Sequence, residues 1–302
     1  MRWSGGGDDS SNVEDRRGES TDVGDGGGGT GRRVGLGGGL VLLVLSLVFG
    51  RNFFADAGVT SGPAVTAPGG DPGPGSTAPV GGATPVQESA DEARNRKFAV
   101  FVLDDAQAIW ARILPSHGGQ YRDAKLVLFR NAVRSGCGVA ESAMGPFYCP
   151  TDEKVYLDLG FFDELRTRLG AAGDFAHAYV ITHELGHHVQ KILGTSSRVR
   201  QMQESRPGDA NELSVRLELQ ADCFAGVWGK STSERKILES GDIESGLNAA
   251  SAVGDDRIQR SVRGTVRPES FTHGSSAQRV MWFKRGFESG NPESCDTFAG
   301  AR

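Results

Sequence analysis

The chain has 302 residues, with 33 Lys and Arg against 38 Asp and Glu and a formal net charge of −5. It is long enough for one large domain or two small ones. The acidic balance, with no Lys/Arg block carrying interleaved aromatics, gives no basis for a nucleic-acid partner. About half of the 44 glycines precede residue 83, so only the part beyond them can bury a core.

Residues 1–33 are rich in Gly, Asp, Ser and Arg, and this composition predicts a disordered tail. The uncharged run Leu40 to Phe49 lies inside the apolar stretch Val34 to Gly50, which is at the short end of the ~17–25 residues that span a bilayer. Arg16, Arg17, Arg32 and Arg33 precede it and only Arg51 follows closely. The positive-inside rule therefore predicts a single-pass anchor over residues 34–55 in the cell membrane, with a cytoplasmic N-terminus and the rest of the chain outside. A cleaved signal peptide, cut near Ala55-Asp56-Ala57, is the competing reading. Residues 56–89, dominated by Gly, Pro, Ser, Thr and Ala, read as a flexible linker.

From Asp91 the pattern turns helical. Phe98, Val102, Ile109 and Ile113 recur at four- and seven-residue steps with Phe101 and Ala108 alongside, which predicts an amphipathic helix ending before Pro115. Lys125 to Arg130 and Val155 to Leu159 read as strands separated by a glycine-containing loop. The second of these, just before the next helix, is the expected sheet edge for an extended substrate. Cys137, Cys149, Cys223 and Cys295 include no C-x-x-C pair, so a zinc ribbon is not expected. In an extracytoplasmic domain two disulfides are expected, with Cys137–Cys149 closing one loop and Cys223–Cys295 remaining. Cys223 as a small buried helix residue is the alternative.

His183-Glu184-Leu185-Gly186-His187 fits H-E-x-x-H. On a helix, expected to open with Asp174 as N-cap and to close at Gly194, both imidazoles project from one face, as two ligands of one zinc must. Glu184 lies about 100° round from His183, beside the metal, where it suits a general base acting on water. Gly186 costs helix propensity, which suggests that another backbone or the substrate approaches there. His177 and His188 point elsewhere and read as structural or surface residues.

A second helix is expected from Asp209, capped in a box with Glu212, to Gly229. Its stripe is Leu213, Leu217, Ala221, Phe224 and Trp228. Glu218 and Asp222, four apart on one face, complete the site: Glu218 as third zinc ligand and Asp222 as hydrogen-bond acceptor for a ligating histidine. The exchange of these roles, with Asp222 as direct ligand, remains open.

With these residues in view, the chain resembles the neutral zinc metallopeptidase family of membrane-tethered bacterial proteins, related to gluzincin-type zincins. The resemblance rests on Met1-Arg2-Trp3, Asn12 to Gly18, Met144 to Pro150, His183 to His187, Glu218 to Trp228 and Ser270 to Gly274. It implies an α+β zincin-like domain over residues 90–298, zinc on His183, His187 and Glu218, Glu184 as catalytic base, and a peptide or protein substrate. Thr272-His273-Gly274-Ser275 with Arg279 is similar to a T-H-P-S-x-x-x-R segment of membrane-associated zinc proteases, with Gly274 in place of proline. The likeness implies that His273 stabilises the oxyanion or transiently blocks the metal. The plainer reading is a loop histidine capping the helix of Trp282 and Phe283. A non-catalytic zinc-stabilised scaffold and a zinc hydrolase of a non-peptide bond fit the same ligands.

Overall fold

Val127, Phe129 and Tyr156 point to one side of a sheet while Leu126, Leu128, Val155 and Leu157 point to the other, and all seven are buried. That double-sided burial explains why both strands read as nearly continuous apolar runs. The structure is a computed structural model that describes residues 1–3, 10–19 and 86–299. Strands β1 (Val13–Asp15), β2 (Lys125–Phe129), β5 (Phe147–Cys149) and β6 (Lys154–Asp158) form the main sheet in the order β1-β2-β6-β5. β1 and β6 run parallel to β2, and β5 runs antiparallel to β6. β3 (Ala132–Ser135) and β4 (Gly138–Glu141) make a separate hairpin whose Val133 and Ala140 cover the Val127 face.

Helices cover the other face. α1 (Ala90–Ile113) is capped by the Ser89 side chain and buries Phe98, Val102 and Ile109 as its periodicity predicts, although Ala108 is exposed. After the short α2 (Phe161–Thr167) come α3 (Asp174–Ile192), α4 (Thr195–Ser205), α5 (Ala210–Glu234), α6 (Asp242–Ala252), α7 (Asp255–Arg263) and α8 (Ser276–Ser289). The domain is therefore α+β and helix-rich, with a small sheet.

Several expectations are corrected. Residues 10–19, assigned by composition to a disordered tail, supply strand β1. Their stability lies in pairings that composition does not register: main-chain bonds to β2, Glu14 on Lys154 at 2.8 Å, and a buried Arg17. Trp3 also packs on Phe98 and Phe101. The sheet edge nearest α3 is β5, since β6 lies between β2 and β5. Asp174 is not the N-cap of α3; Gly173 is, and Asp174 binds Arg94 at 2.8 Å and the Trp3 indole at 3.2 Å. The expected box at Asp209 is absent because Glu212 pairs with Arg216 instead. α5 continues past Gly229 to Glu234, for Gly229 serves packing: a Cβ there would sit 3.2 Å from the rings of Phe175 and Phe287.

Both expected disulfides form, Cys137–Cys149 and Cys223–Cys295. The second ties α5 to the C-terminal segment. The anchor expected over residues 34–55 and the linker expected over residues 56–89 lie outside the described residues as far as residue 85, and of the remainder Glu88 binds Arg17 and Ser89 caps α1. Among the described residues no helix is long and apolar enough to cross a membrane.

Candidate metal centre

α3 and α5 meet where side chains are smallest. A Cβ on Gly186 would lie 3.0 Å from Ala221 Cα and 3.1 Å from its carbonyl oxygen, so the close approach expected at this glycine is that of the α5 backbone. Gly186 stands between His183 and His187, and Ala221 between Glu218 and Asp222. The contact therefore sets the two pairs against each other. His183 Nε2 lies 3.1 Å from Glu218 Oε2, and His187 Nε2 lies 3.3 Å from Glu218 Oε1. One ligand atom from each of the three residues falls within 4.8 Å of the others.

The outer nitrogens are fixed as a metal site requires. His183 Nδ1–H donates to Asp222 Oδ1 at 2.9 Å, and His187 Nδ1–H donates to Gln190 Oε1 at 2.9 Å. Gln190 is itself held by donating to Leu217 O at 2.7 Å and to Gln220 at 3.1 Å. Each Nε2 is thereby turned toward Glu218, where a cation would take the place of its proton, and Asp222 sits behind His183 and not in the ligand position. Two imidazoles and one carboxylate, with His183 and Glu218 buried and His187 partly so, could hold a metal ion, and three protein ligands would suit a catalytic site that keeps a place for water.

Asp222 is fully buried and anchors a wider network. Arg279, on α8, donates to it through Nε at 2.8 Å and Nη2 at 2.9 Å, and the Tyr179 hydroxyl donates as well. Burial works against charge here, but the guanidinium and the His183 imidazole hold the Asp222 carboxyl below its ordinary range. Glu218 is likewise opposed by burial and is brought well below its ordinary range by His187 and by hydrogen bonds from both histidines.

Burial opposes the charged form of His183 too, yet the Asp222 and Glu218 carboxylates raise it to about 10. Its pKa in the unfolded chain is ~6.5. With the folded value raised, the metal-free protein has this contribution to stability in full below pH ~6.5 and loses it as pH rises through about 10. A cation must displace the same proton, so metal affinity should rise about tenfold per pH unit through neutrality for each proton released. Calorimetric zinc titration in two buffers of different ionisation enthalpy should show proton release at pH 7, and a buffer-independent heat would contradict it.

Glu184 lines the same cavity of ≈560 Å³ as His183, His187, Glu218 and His273. Burial raises its carboxyl above the ordinary value, partly offset by the two imidazoles and by the Tyr148 backbone N–H. His273 is held from behind: its Nδ1–H donates to Asp255 Oδ1 at 3.1 Å, and Asp255 Oδ2 accepts the backbone N–H groups of Thr272, His273 and Gly274. Burial opposes charge on His273, but Asp255 and then Glu218 raise its pKa. The capping of α8 falls to Ser275, which forms a box with Gln278, and not to His273. Gly274 has φ +89°, which a proline ring cannot adopt, so this loop necessarily departs from the T-H-P-S pattern.

His177 and His188 are structural. His177 stacks on Phe162 at 4.0 Å, and burial lowers its pKa to about 4. His188 is fully buried between the Tyr148 hydroxyl at 2.9 Å and the Arg122 carbonyl at 2.6 Å. No motif in the sequence signals Asp255, and none assigns Gln190 or Tyr179 its role beside the histidines.

The family described as "Putative neutral zinc metallopeptidase" matches residues 1–298. The chain is 47% identical over 300 residues to "Uncharacterized protein YpfJ" of Escherichia coli K12, covering 99% of each chain. It is 44% identical over 209 residues to "Uncharacterized protein Rv2575" of Mycobacterium tuberculosis H37Rv, covering 66% of this chain and 69% of that one. No solved structure matches. With nearly its whole length matched and a His-His-Glu group at its centre, the chain belongs to the putative neutral zinc metallopeptidase family.

Proposed function

We propose that the protein is a zincin-like peptidase whose zinc is held by His183, His187 and Glu218, with Glu184 as general base. The observation that carries this reading is the pair of oriented imidazoles facing Glu218, with Glu184 beside them in one cleft. When bound, zinc supplies Lewis acidity that polarises the scissile carbonyl and makes a water nucleophilic at neutral pH. Glu184 takes the proton from the attacking water and passes it to the leaving amine. Its raised pKa suits both halves of that exchange.

His273 lines the cleft while Asp255 holds its Nδ1 and favours the imidazolium. It is therefore suited to stabilise the developing oxyanion. Strand β5 ends the sheet beside α3 and offers an edge along which an extended peptide can pair. The lining is largely apolar, with Met144, Phe147, Phe161, Val199, Leu217 and Ile258 among its residues. Extended peptides with large apolar side chains near the scissile bond are the fitting substrates.

The test is a peptide library incubated with zinc-loaded protein and with the same protein stripped by chelator. Cleavage next to large apolar residues is expected only in the loaded sample and should return on re-addition of zinc. Equal cleavage in both samples, or none in either, would contradict the proposal.

A further inference from the structure

Strand β1 is joined to the domain by short-range bonds. Leu126 N–H donates to Asn12 O at 2.7 Å, and Arg16 N–H donates to Leu128 O at 2.8 Å. Next to the strand, Arg17 is only 6% exposed and its guanidinium is shared by Asp15, Glu88 and Glu92. Glu88 and Glu92 lie beyond the apolar run in sequence, whereas Asp15 lies before it. Such a buried cation is tolerated only while its partners stay in contact.

These contacts operate over about 3 Å, whereas the hydrocarbon core of a bilayer is ~30 Å thick. Residues 10–19 and 86–299 must then share one compartment. The single-pass arrangement expected from the arginine distribution, with a cytoplasmic N-terminus and an external domain, would pull β1 off the sheet.

We infer that the N-terminal strand and the metal-binding domain lie together on the extracytoplasmic side, held in one compartment by the β1–β2 pairing and the Arg17 cluster. The side follows from the Cys137–Cys149 and Cys223–Cys295 disulfides, which belong to an oxidising compartment. This inference is independent of the peptidase reading. It makes residues 10–19 part of the exported domain, and β1 the cover for an otherwise exposed edge of β2.

Thiol accessibility in the full-length chain tests it. With all four native cysteines in disulfides, single new thiols can be placed by Gly6→Cys and Thr21→Cys on either side of β1, and by Ser233→Cys at the exposed end of α5. Intact spheroplasts of cells producing each variant are treated with a membrane-impermeant maleimide before and after lysis. All three thiols should label before lysis. Labelling of Ser233→Cys before lysis with Gly6→Cys and Thr21→Cys reacting only afterwards would overturn the shared compartment, and labelling of all three only after lysis would overturn the extracytoplasmic side.

Discussion

Glu184→Gln is expected to retain zinc and to lose peptide hydrolysis by roughly 10²–10⁴-fold, the usual contribution of a positioned general base. The amide keeps the size of the carboxylate and can still accept the Tyr148 backbone N–H. It cannot take a proton from water. Because Glu184 is not among the three residues grouped as ligands, metal content should not follow the loss of activity. A drop in kcat with zinc content unchanged identifies the base. An unchanged kcat would remove Glu184 from the mechanism and leave a scaffold as the better account of the site.

Arg279→Met is expected to be the most destabilising substitution near the site. Arg279 is 3% exposed and gives two charge-assisted hydrogen bonds to Asp222, a residue with no solvent contact of its own. Removing Arg279 leaves the buried Asp222 charge offset only by the His183 imidazole, at a cost approaching the about 3–5 kcal/mol of a broken buried pair. Asp222 would keep only the Tyr179 hydroxyl and His183 Nδ1. His183 would be less firmly oriented, and zinc affinity should fall about 10–100-fold, as on loss of other such supporting partners. Urea unfolding of the metal-free protein measures the first effect and competitive zinc titration the second. The double change Arg279→Met with Asp222→Asn should recover part of the stability, because it removes the orphaned charge together with its partner. A loss below about 1 kcal/mol, typical of exposed ion pairs, would show that Arg279 is not what neutralises Asp222.

What the sequence revealed and what it concealed follow one physical division. Periodic, local features were legible: α1 from the spacing of Phe98, Val102 and Ile109, α3 from H-E-x-x-H, and α5 from Leu213, Leu217 and Phe224. Glu218 and Asp222 could be paired with the histidines because a four-residue step on a helix fixes a common face. Gly186 announced a close approach, and Ala221 is its partner.

Features made by distant pairing were not legible. β1 contains a single apolar residue, Val13, and exists because β2 offers main-chain partners and Arg17 finds three carboxylates. Asp255 is one of two adjacent aspartates at the start of a nine-residue helix, and only the fold brings it to His273. Gly229 resembled a helix stop because a glycine's local effect is visible in sequence while the rings of Phe175 and Phe287 against it are not. The sheet edge was misplaced for the same reason, since strand order is a property of the whole sheet.

Zinc content of the purified protein and of its Glu218→Ala variant, measured by mass spectrometry after dialysis against metal-free buffer, tests the centre of this account most directly. About one zinc per chain is expected in the wild type and almost none in the variant, because two histidines without a third protein ligand do not make a complete site. Stoichiometric zinc in the Glu218→Ala protein would contradict the assignment of His183, His187 and Glu218 as the metal centre.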